Sequence, residues 1–450
     1  MNNIAKTIIV SQLLACINSI SAQEKHETPM TLRECMEYAV SNSTKMRIES
    51  ANRNDEQWQR RHALMSLFTP SVDAQTYAYN QYGRNLDPET NTYNTITTFH
   101  NGYSVSAGIT LFDGFQSVNN LKMASTSAKM GMSREQQTRD QICLATMEAF
   151  YNVIYYTELL SVLEGQVATA EKARAKAVRQ EELGQKGHAD VLQMESELAQ
   201  KQYQLITTRN MKNDAMITLK DVMFWPVGDE LIIDNSVAEP TLTPVFLSEI
   251  SSSAKLNLPD AEIALMTKKR AALDLKSARG AYSPTLGLYA GWSTTYYTYP
   301  GMKDYSPASF GEQWRNNRGE YVQLALSIPI FDQLRRRTTL KTKKNALVRA
   351  EAEYDQKMRD IENEVARAVS DRDGAQAAFT QADKLANVQQ EAFRLSTKQF
   401  ENGLISAIEF QTASQNYLQA MAERINNLLK LRIKDSLVRY YSGESYLSQL

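Results

Sequence analysis

The sequence predicts a mostly α-helical protein with β-strands, built from two tandem copies of one structural unit. Three observations predict this class. Leu111-Phe112-Asp113 precedes a long proline-free stretch and then Gly184 and Asp190, while Ile330-Phe331-Asp332 precedes a similar stretch and then Gly403 and Glu409; the offsets 331−112, 403−184 and 409−190 are all 219. Four segments of about ten residues alternate apolar and small polar side chains, the period of a strand with different surroundings on its two faces. Between them lie stretches far longer than an ordinary globular helix, with no proline from Pro88 to Pro226 or after Pro329.

The duplication extends upstream with small gaps. Leu32, Ala39 and Asn42 match Leu247, Ala254 and Asn257 at an offset of 215, and Pro70 matches Pro284 at 214. The chain therefore divides into a leader at 1–22, a first repeat at 23–222, a linker at 223–246 and a second repeat at 247–450. A repeat of this kind must be recognised before length is converted into a domain count.

At the N-terminus, Lys6 and the apolar run to Ala15 read as the charged and hydrophobic regions of a secretory signal, with Ile20-Ser21-Ala22 as the cleavage site. Leu13-Leu14-Ala15-Cys16 also resembles a lipoprotein signal that would lipidate Cys16, so two processing routes remain open. Removing residues 1–22 takes Lys6 alone among the charges and moves the net charge from −1 to −2, which gives no reason to expect a nucleic-acid partner. With 42% hydrophobic and 22% charged residues and a mean hydropathy of −0.45, a bundle of transmembrane helices is excluded. Cys35 and Cys143 fall at unmatched positions of the first repeat and read as unpaired, partly buried thiols.

Thr31 is a candidate N-cap for helix running to about Ser66, and Thr69-Pro70 stops it. Strands follow at about 70–80 and 103–112 in the first repeat and at about 284–298 and 321–331 in the second. In the second of these Val105, Ala107, Ile109 and Leu111 alternate with Ser104, Ser106, Gly108 and Thr110. A half-buried soluble sheet would show the same alternation. Tyrosines 77, 79, 82, 93 and 103, and the aromatic group around Tyr289, Trp292 and Tyr296, favour a bilayer with interfacial girdles. Four strands cannot close a membrane barrel, for which about eight is the practical minimum, and an open edge in lipid leaves backbone groups unsatisfied. The chain must oligomerise; two copies and three copies are both compatible with the strands alone.

The segments 114–183 and 333–402 can each run as one helix of about 100 Å, each followed by a returning helix. Mixed charge and closely spaced apolar residues such as Leu159, Leu160, Leu163 and Val167 suit coiled-coil-like packing. Gly184, between Leu183 and Gln185, and Gly403, before Leu404, sit at matched positions and predict helix-turn-helix tips.

This duplicated order of helix, strand pair and helical hairpin resembles the TolC-type outer-membrane efflux protein family. The resemblance is carried by Leu32 to Asn42, Pro70 and Pro284, Leu111-Phe112-Asp113-Gly114 and Ile330-Phe331-Asp332, and the tips Gly184-x5-Asp190 and Gly403-x5-Glu409. A weaker likeness to members from Bacteroidetes-like bacteria lies in Gly83 to Pro88. The resemblance implies a homotrimer whose twelve-stranded barrel sits in outer-membrane lipid and continues as a periplasmic α-helical barrel. It implies a periplasmic adaptor protein docked at Leu183, Gly184, Gln185, Gly403 and Leu404, and an inner-membrane pump of RND or ABC type.

The resemblance also places Glu409 at the tunnel constriction, where three copies would repel one another and raise their pKa values. A solvated helix face or cap is the alternative for Glu409, and Asp190 is expected to orient its neighbours near the tip. Thr412 stands where a second acidic residue would be, leaving one acidic ring. Phe400 and Ile405 stand where some members carry a tyrosine and an arginine that lock the closed tip, so closure here is expected to rest on apolar packing.

No enzyme is expected. His26, His62, His100 and His188 show no metal-ligand spacing, no nucleophile and base fall into a familiar order, and no phosphate-binding glycine loop is present, so neither metal nor cofactor is called for. The functions that remain are the exit duct of a tripartite efflux system, a type I secretion duct for polypeptides, and a periplasmic coiled-coil scaffold.

Overall fold

The computed structural model describes residues 29–86, 91–236, 244–301 and 308–449; the leader 1–22 with Cys16, residue Pro88 and part of the linker lie outside the described residues. The first repeat opens with helices α1 (Leu32–Asn42) and α2 (Thr44–Phe68). Thr31 caps α1 through a reciprocal capping box with Glu34. The single helix expected over 31–66 is two, because Ser43 leaves helical geometry at ψ 128° and its hydroxyl accepts from the Lys45 amide at 3.2 Å, ending α1 and starting α2.

Strands β1 (Ser71–Gln81), β2 (Arg84–Leu86), β3 (Tyr93–Thr95) and β4 (Thr98–Phe112) follow, then the long hairpin α3 (Gln116–Glu182) and α4 (His188–Met223). The second repeat supplies α5 (Leu247–Asn257), α6 (Pro259–Gly280), β5 (Thr285–Thr298), the short α7 (Phe310–Asn316), β6 (Gly319–Ser327), and the hairpin α8 (Arg335–Glu401) and α9 (Ala407–Tyr441), closing on a 3-10 turn at Tyr446–Gln449. Helices α3 and α8 each have 67 residues, and both their first residues (335−116) and their last (401−182) are 219 apart.

One antiparallel sheet runs β1-β4-β5-β6, so the two repeats meet at the β4–β5 pair, while β2 and β3 form a separate small hairpin. The register puts Val105 opposite Trp292 and Ala107 opposite Ala290 on the apolar face, and Ser106 opposite Gly291 and Gly108 opposite Tyr289 on the other. The strand expected from 103 begins five residues earlier, at Thr98, because polar Asn101 and His100 pair as readily as the alternating residues that follow. The strand expected to reach 331 stops at Ser327. Pro329 has no amide to donate, and its ring restricts the residue before it.

At each strand-to-helix turn two consecutive residues take positive φ: Gly114 and Phe115 at 68° and 64°, and their counterparts Gln333 and Leu334 at 56° and 66°. Gly114 crosses Gly280 so closely that a Cβ on it would lie 2.3 Å from the Gly280 carbonyl oxygen. The aspartates of the shared Phe-Asp motif hold these turns. Asp113 Oδ2 accepts from the Ser117 amide at 2.8 Å, and Asp332 Oδ2 accepts from the Arg336 amide at 3.0 Å and its Nε at 2.9 Å. Each thereby satisfies an amide that the first turn of a helix leaves free.

The largest core gathers where α1, the end of α4 and the C-terminal turn cover the middle of α3, around Met36, Met147, Phe150, Ile154 and Leu219. Cys35 and Cys143 lie in it unpaired. A second core joins α5 to α8 through Ala254, Ile361 and Val365, the matched region of the other repeat. Among the described residues no helix is long and apolar enough to cross a membrane.

Candidate functional site

The two hairpin tips are built alike. At the first, the Gly184 amide donates to Glu181 O at 2.8 Å and the Gln185 amide to Gln180 O at 2.8 Å; at the second, the Gly403 amide donates to Phe400 O at 3.0 Å and the Leu404 amide to Gln399 O at 2.9 Å. This is the Schellman closure of a helix, and it needs a left-handed residue, which Gly184 (φ 65°) and Gly403 (φ 73°) supply. The tips present apolar side chains to solvent: Leu183 is 58% exposed, Leu404 73% and Ile408 67%. Ile408 has no sequence signal of its own, being a single isoleucine at the second position of its helix.

Beneath the tips a small core joins the repeats. Phe400 is 1% exposed and packs with Ala173, Ala177, Val191, Met194 and Phe410, with Ile405 partly buried at its edge. The Phe400 and Phe410 rings stack at 4.9 Å, and Lys186 Nζ sits 4.3 Å from the Phe400 ring centre. Lys176 also donates to the Glu401 carbonyl, so the first tip is latched to the second. Phe400 is therefore a residue of the protomer interior that holds the tips together, while Ile405 reaches its rim.

The two matched carboxylates differ. Glu409 closes a capping box: its Oε2 accepts from the Ser406 amide at 2.8 Å and hydroxyl at 2.9 Å, and the Ser406 hydroxyl accepts from the Glu409 amide. Within one chain these hydrogen bonds, the backbone one first, hold its pKa below the usual glutamate value. Asp190 occupies the same turn of α4, but the residue matching Ser406 is Gly187, which has no hydroxyl to offer. The Asp190 side chain makes no hydrogen bond or ion pair within the described residues, so its expected role of orienting neighbours is not met within one chain. Thr412 turns back to its own helix, its hydroxyl donating to Ile408 O at 2.9 Å. His188 meets Glu181 at 2.8 Å across the first tip and remains exposed.

Above the tips α4 and α9 touch through a run of polar contacts that no local sequence pattern signals. Gln193 Nε2 donates to Gln411 Oε1 at 2.6 Å, and Ser414 Oγ donates to Glu197 Oε1 at 3.2 Å. Lys201 Nζ lies 3.6 Å from Glu197 Oε1 and donates to Gln415 Oε1 at 3.4 Å, with both charged side chains almost wholly buried. Burial pushes the lysine pKa down, and Glu197 only partly restores it. Gln166 of α3 completes the group by donating to Ser414 O at 2.9 Å. No cluster of metal-ligating side chains occurs among the described residues.

Residues 250–440 match the model of the family described as outer membrane efflux protein. The second repeat thus carries the sequence signature of that family. The match lies in the second repeat, and the first repeat repeats its architecture at the same offset, from the Phe-Asp turn through the tip. Comparison with solved structures extends the likeness over the whole fold. The channel protein CusC superposes with a TM-score of 0.76 at 15% identity, covering 92% of this chain and 91% of that one. VceC from Vibrio cholerae gives 0.72 at 14% identity, covering 92% and 96%. The open state of MtrE from Neisseria gonorrhoeae gives 0.73 at 17% identity, covering 93% and 88%. No curated protein matches this chain significantly in sequence. The fold is the one these channel proteins share, a strand region continued by long helical hairpins.

Proposed function

We propose that three copies of this chain form the exit duct of a tripartite efflux system. The open edges of β1 and β6 pair between copies and close a twelve-stranded barrel. The duct conducts passively, carrying substrate from an inner-membrane pump of RND or ABC type, through a periplasmic adaptor, to the exterior. The single observation that carries this reading is the four-stranded sheet with an apolar face and two unpaired edges, attached to hairpins about 100 Å long. A soluble scaffold would have no use for such a face. The exposed apolar tips at Leu183–Gln185 and Gly403–Leu404 dock the adaptor, and Glu409 from three copies forms the single acidic ring of the constriction. Its capping hydrogen bonds favour the ionised form at neutral pH, which supports a cation-attracting ring.

Crosslinking tests this reading. Cysteines placed at Gln185 and Leu404 should crosslink to a periplasmic adaptor in cells that carry the pump. Failure to crosslink to any adaptor, with the protein present in the outer membrane, would overturn the docking assignment.

A further inference from the structure

Just below the sheet, a groove crosses α2, α3 and α6. Its α3–α6 part encloses about 440 Å³ and its α2–α3 part about 560 Å³, and the two share Ser125 and Lys129. The floor is apolar, with Leu64, Met132, Leu265 and Leu273. The rim is cationic: Arg60, Lys122, Lys129 and Lys269 line it without an ion pair among the described residues, and Arg61 stacks 4.6 Å over Trp58. No acidic side chain lines either part. Fold stability does not explain four unpaired cations converging on an apolar trough.

The position of the groove decides its occupant. Lys122, Lys129, Cys143 and Phe150 fall on one seven-residue column of α3, and Cys143 and Phe150 are the residues covered by α1 and the C-terminal turn. In an open duct those covering elements lie outside, since three copies inside would plug it, so the groove faces outward. From the helix ends, the cations stand roughly 10–20 Å below the sheet. The exposed apolar belt does not stop at the strands: Phe68, Met65 and Leu64 on α2 and Phe115 before α3 continue it downward by about one turn, toward Arg60 and Lys122.

We infer that this groove holds an anionic phospholipid of the periplasmic leaflet, its phosphate among Arg60, Lys122, Lys129 and Lys269 and its acyl chains along the apolar floor toward the sheet. Long basic stems keep their aliphatic parts on the trough while the charges meet the headgroup. The inference rests on the membrane placement of the sheet, and it adds a specific lipid site to the duct. Bound lipid would fix the depth of the barrel and brace α3 against α6 where the two repeats adjoin.

Native mass spectrometry of the detergent-solubilised full-length oligomer, titrated with phosphatidylglycerol or phosphatidylcholine, tests it. The unmodified protein should retain phosphatidylglycerol in preference to phosphatidylcholine, and inorganic phosphate should not displace it. The variant carrying Lys122→Gln, Lys129→Gln and Lys269→Gln should bind phosphatidylglycerol about tenfold or more weakly, since each basic group near an anionic lipid contributes appreciably, whereas the matching arginine variant should bind normally. Single Lys129→Gln, at the junction of both parts, should show a smaller loss in the same direction. Equal binding of the two lipids, or undiminished binding by the triple and single glutamine variants, would overturn the proposal. An oligomer that conducts ions yet shows no lipid preference would refute the lipid site and leave the duct reading standing.

Discussion

Glu409 is tied to Ser406, its Oε2 2.8 Å from the Ser406 amide nitrogen, whereas Asp190, at the matched position of the other repeat, faces Gly187 and has no such partner. One substituted cap residue thus separates two carboxylates that the duplication made equivalent. It assigns them different duties: Glu409 stabilises the start of its own helix, and Asp190 is left free for contacts outside its chain.

Removing the serine hydroxyl should therefore show in the acid limb of stability. A carboxylate whose folded pKa is depressed contributes fully above its unfolded pKa, and the contribution disappears as pH falls through the folded value. In Ser406→Ala the Glu409 pKa should rise and the tip should loosen at a higher pH than in the unmodified protein. Proteolysis of the tip as a function of pH measures this; an unchanged acid limb would contradict the assignment. Gly187→Ser with Asp190→Glu should build the missing cap in the first repeat.

Lys201 and Glu197 should behave as a buried pair whose partners depend on each other. Lys201→Met alone leaves Glu197 charged and enclosed, and should destabilise by about 3–5 kcal/mol. Replacing both by apolar residues of similar volume should restore most of that loss or exceed it. Thermal unfolding of the two variants separates the outcomes; equal losses would show that the pair is not coupled.

The tip glycines should respond alike. Gly184→Ala meets no atom within 4 Å and Gly403→Ala meets only the end of Gln180 at 4.0 Å, so the cost is that of a left-handed alanine, about 1–2 kcal/mol at each tip. Hydrogen exchange at the amides of Gln185 and Leu404 would register it. A much larger loss at one tip would mean that the neighbouring copy packs against that glycine.

Both thiols should be inert. Burial pushes Cys35 and Cys143 up to about 12, so at neutral pH neither should react with maleimide until the protein unfolds. Rapid labelling of either in the folded protein would contradict the packing of α1 on α3. The same inertness makes the natural chain a clean background for cysteines placed at the tips.

Much of this architecture can be read in the sequence, and the reasons it can or cannot are physical. The strands are legible because their two faces differ in polarity, with Val105, Ala107 and Ile109 alternating with Ser104, Ser106 and Gly108. The tips are legible because a left-handed turn demands glycine and the duplication writes it twice. The end of β6 is obscured because the apolar alternation runs on through Ile330, past Pro329, whose missing amide ends the ladder. Ser406-x-x-Glu409 is itself a capping-box signature, so this cap is legible in the sequence. Lys201 and Glu197 were illegible: at i,i+4 spacing they look like an ordinary exposed helix pair, and only the approach of α9 through Ser414 and Gln415 buries them. The burial of Phe400 is not legible, because its neighbours come from α3, α4 and α9, contacts that no local pattern encodes.

Conductance across a planar lipid bilayer tests the central claim most directly. The reconstituted protein should insert as a channel with small closed-state conductance, and Phe400→Ala, which removes the ring holding the two tips together at a cost of about 3–5 kcal/mol, should raise that conductance several-fold. No current from either protein in a folded, inserted state would contradict the duct, and equal current from both would contradict apolar closure of its tip.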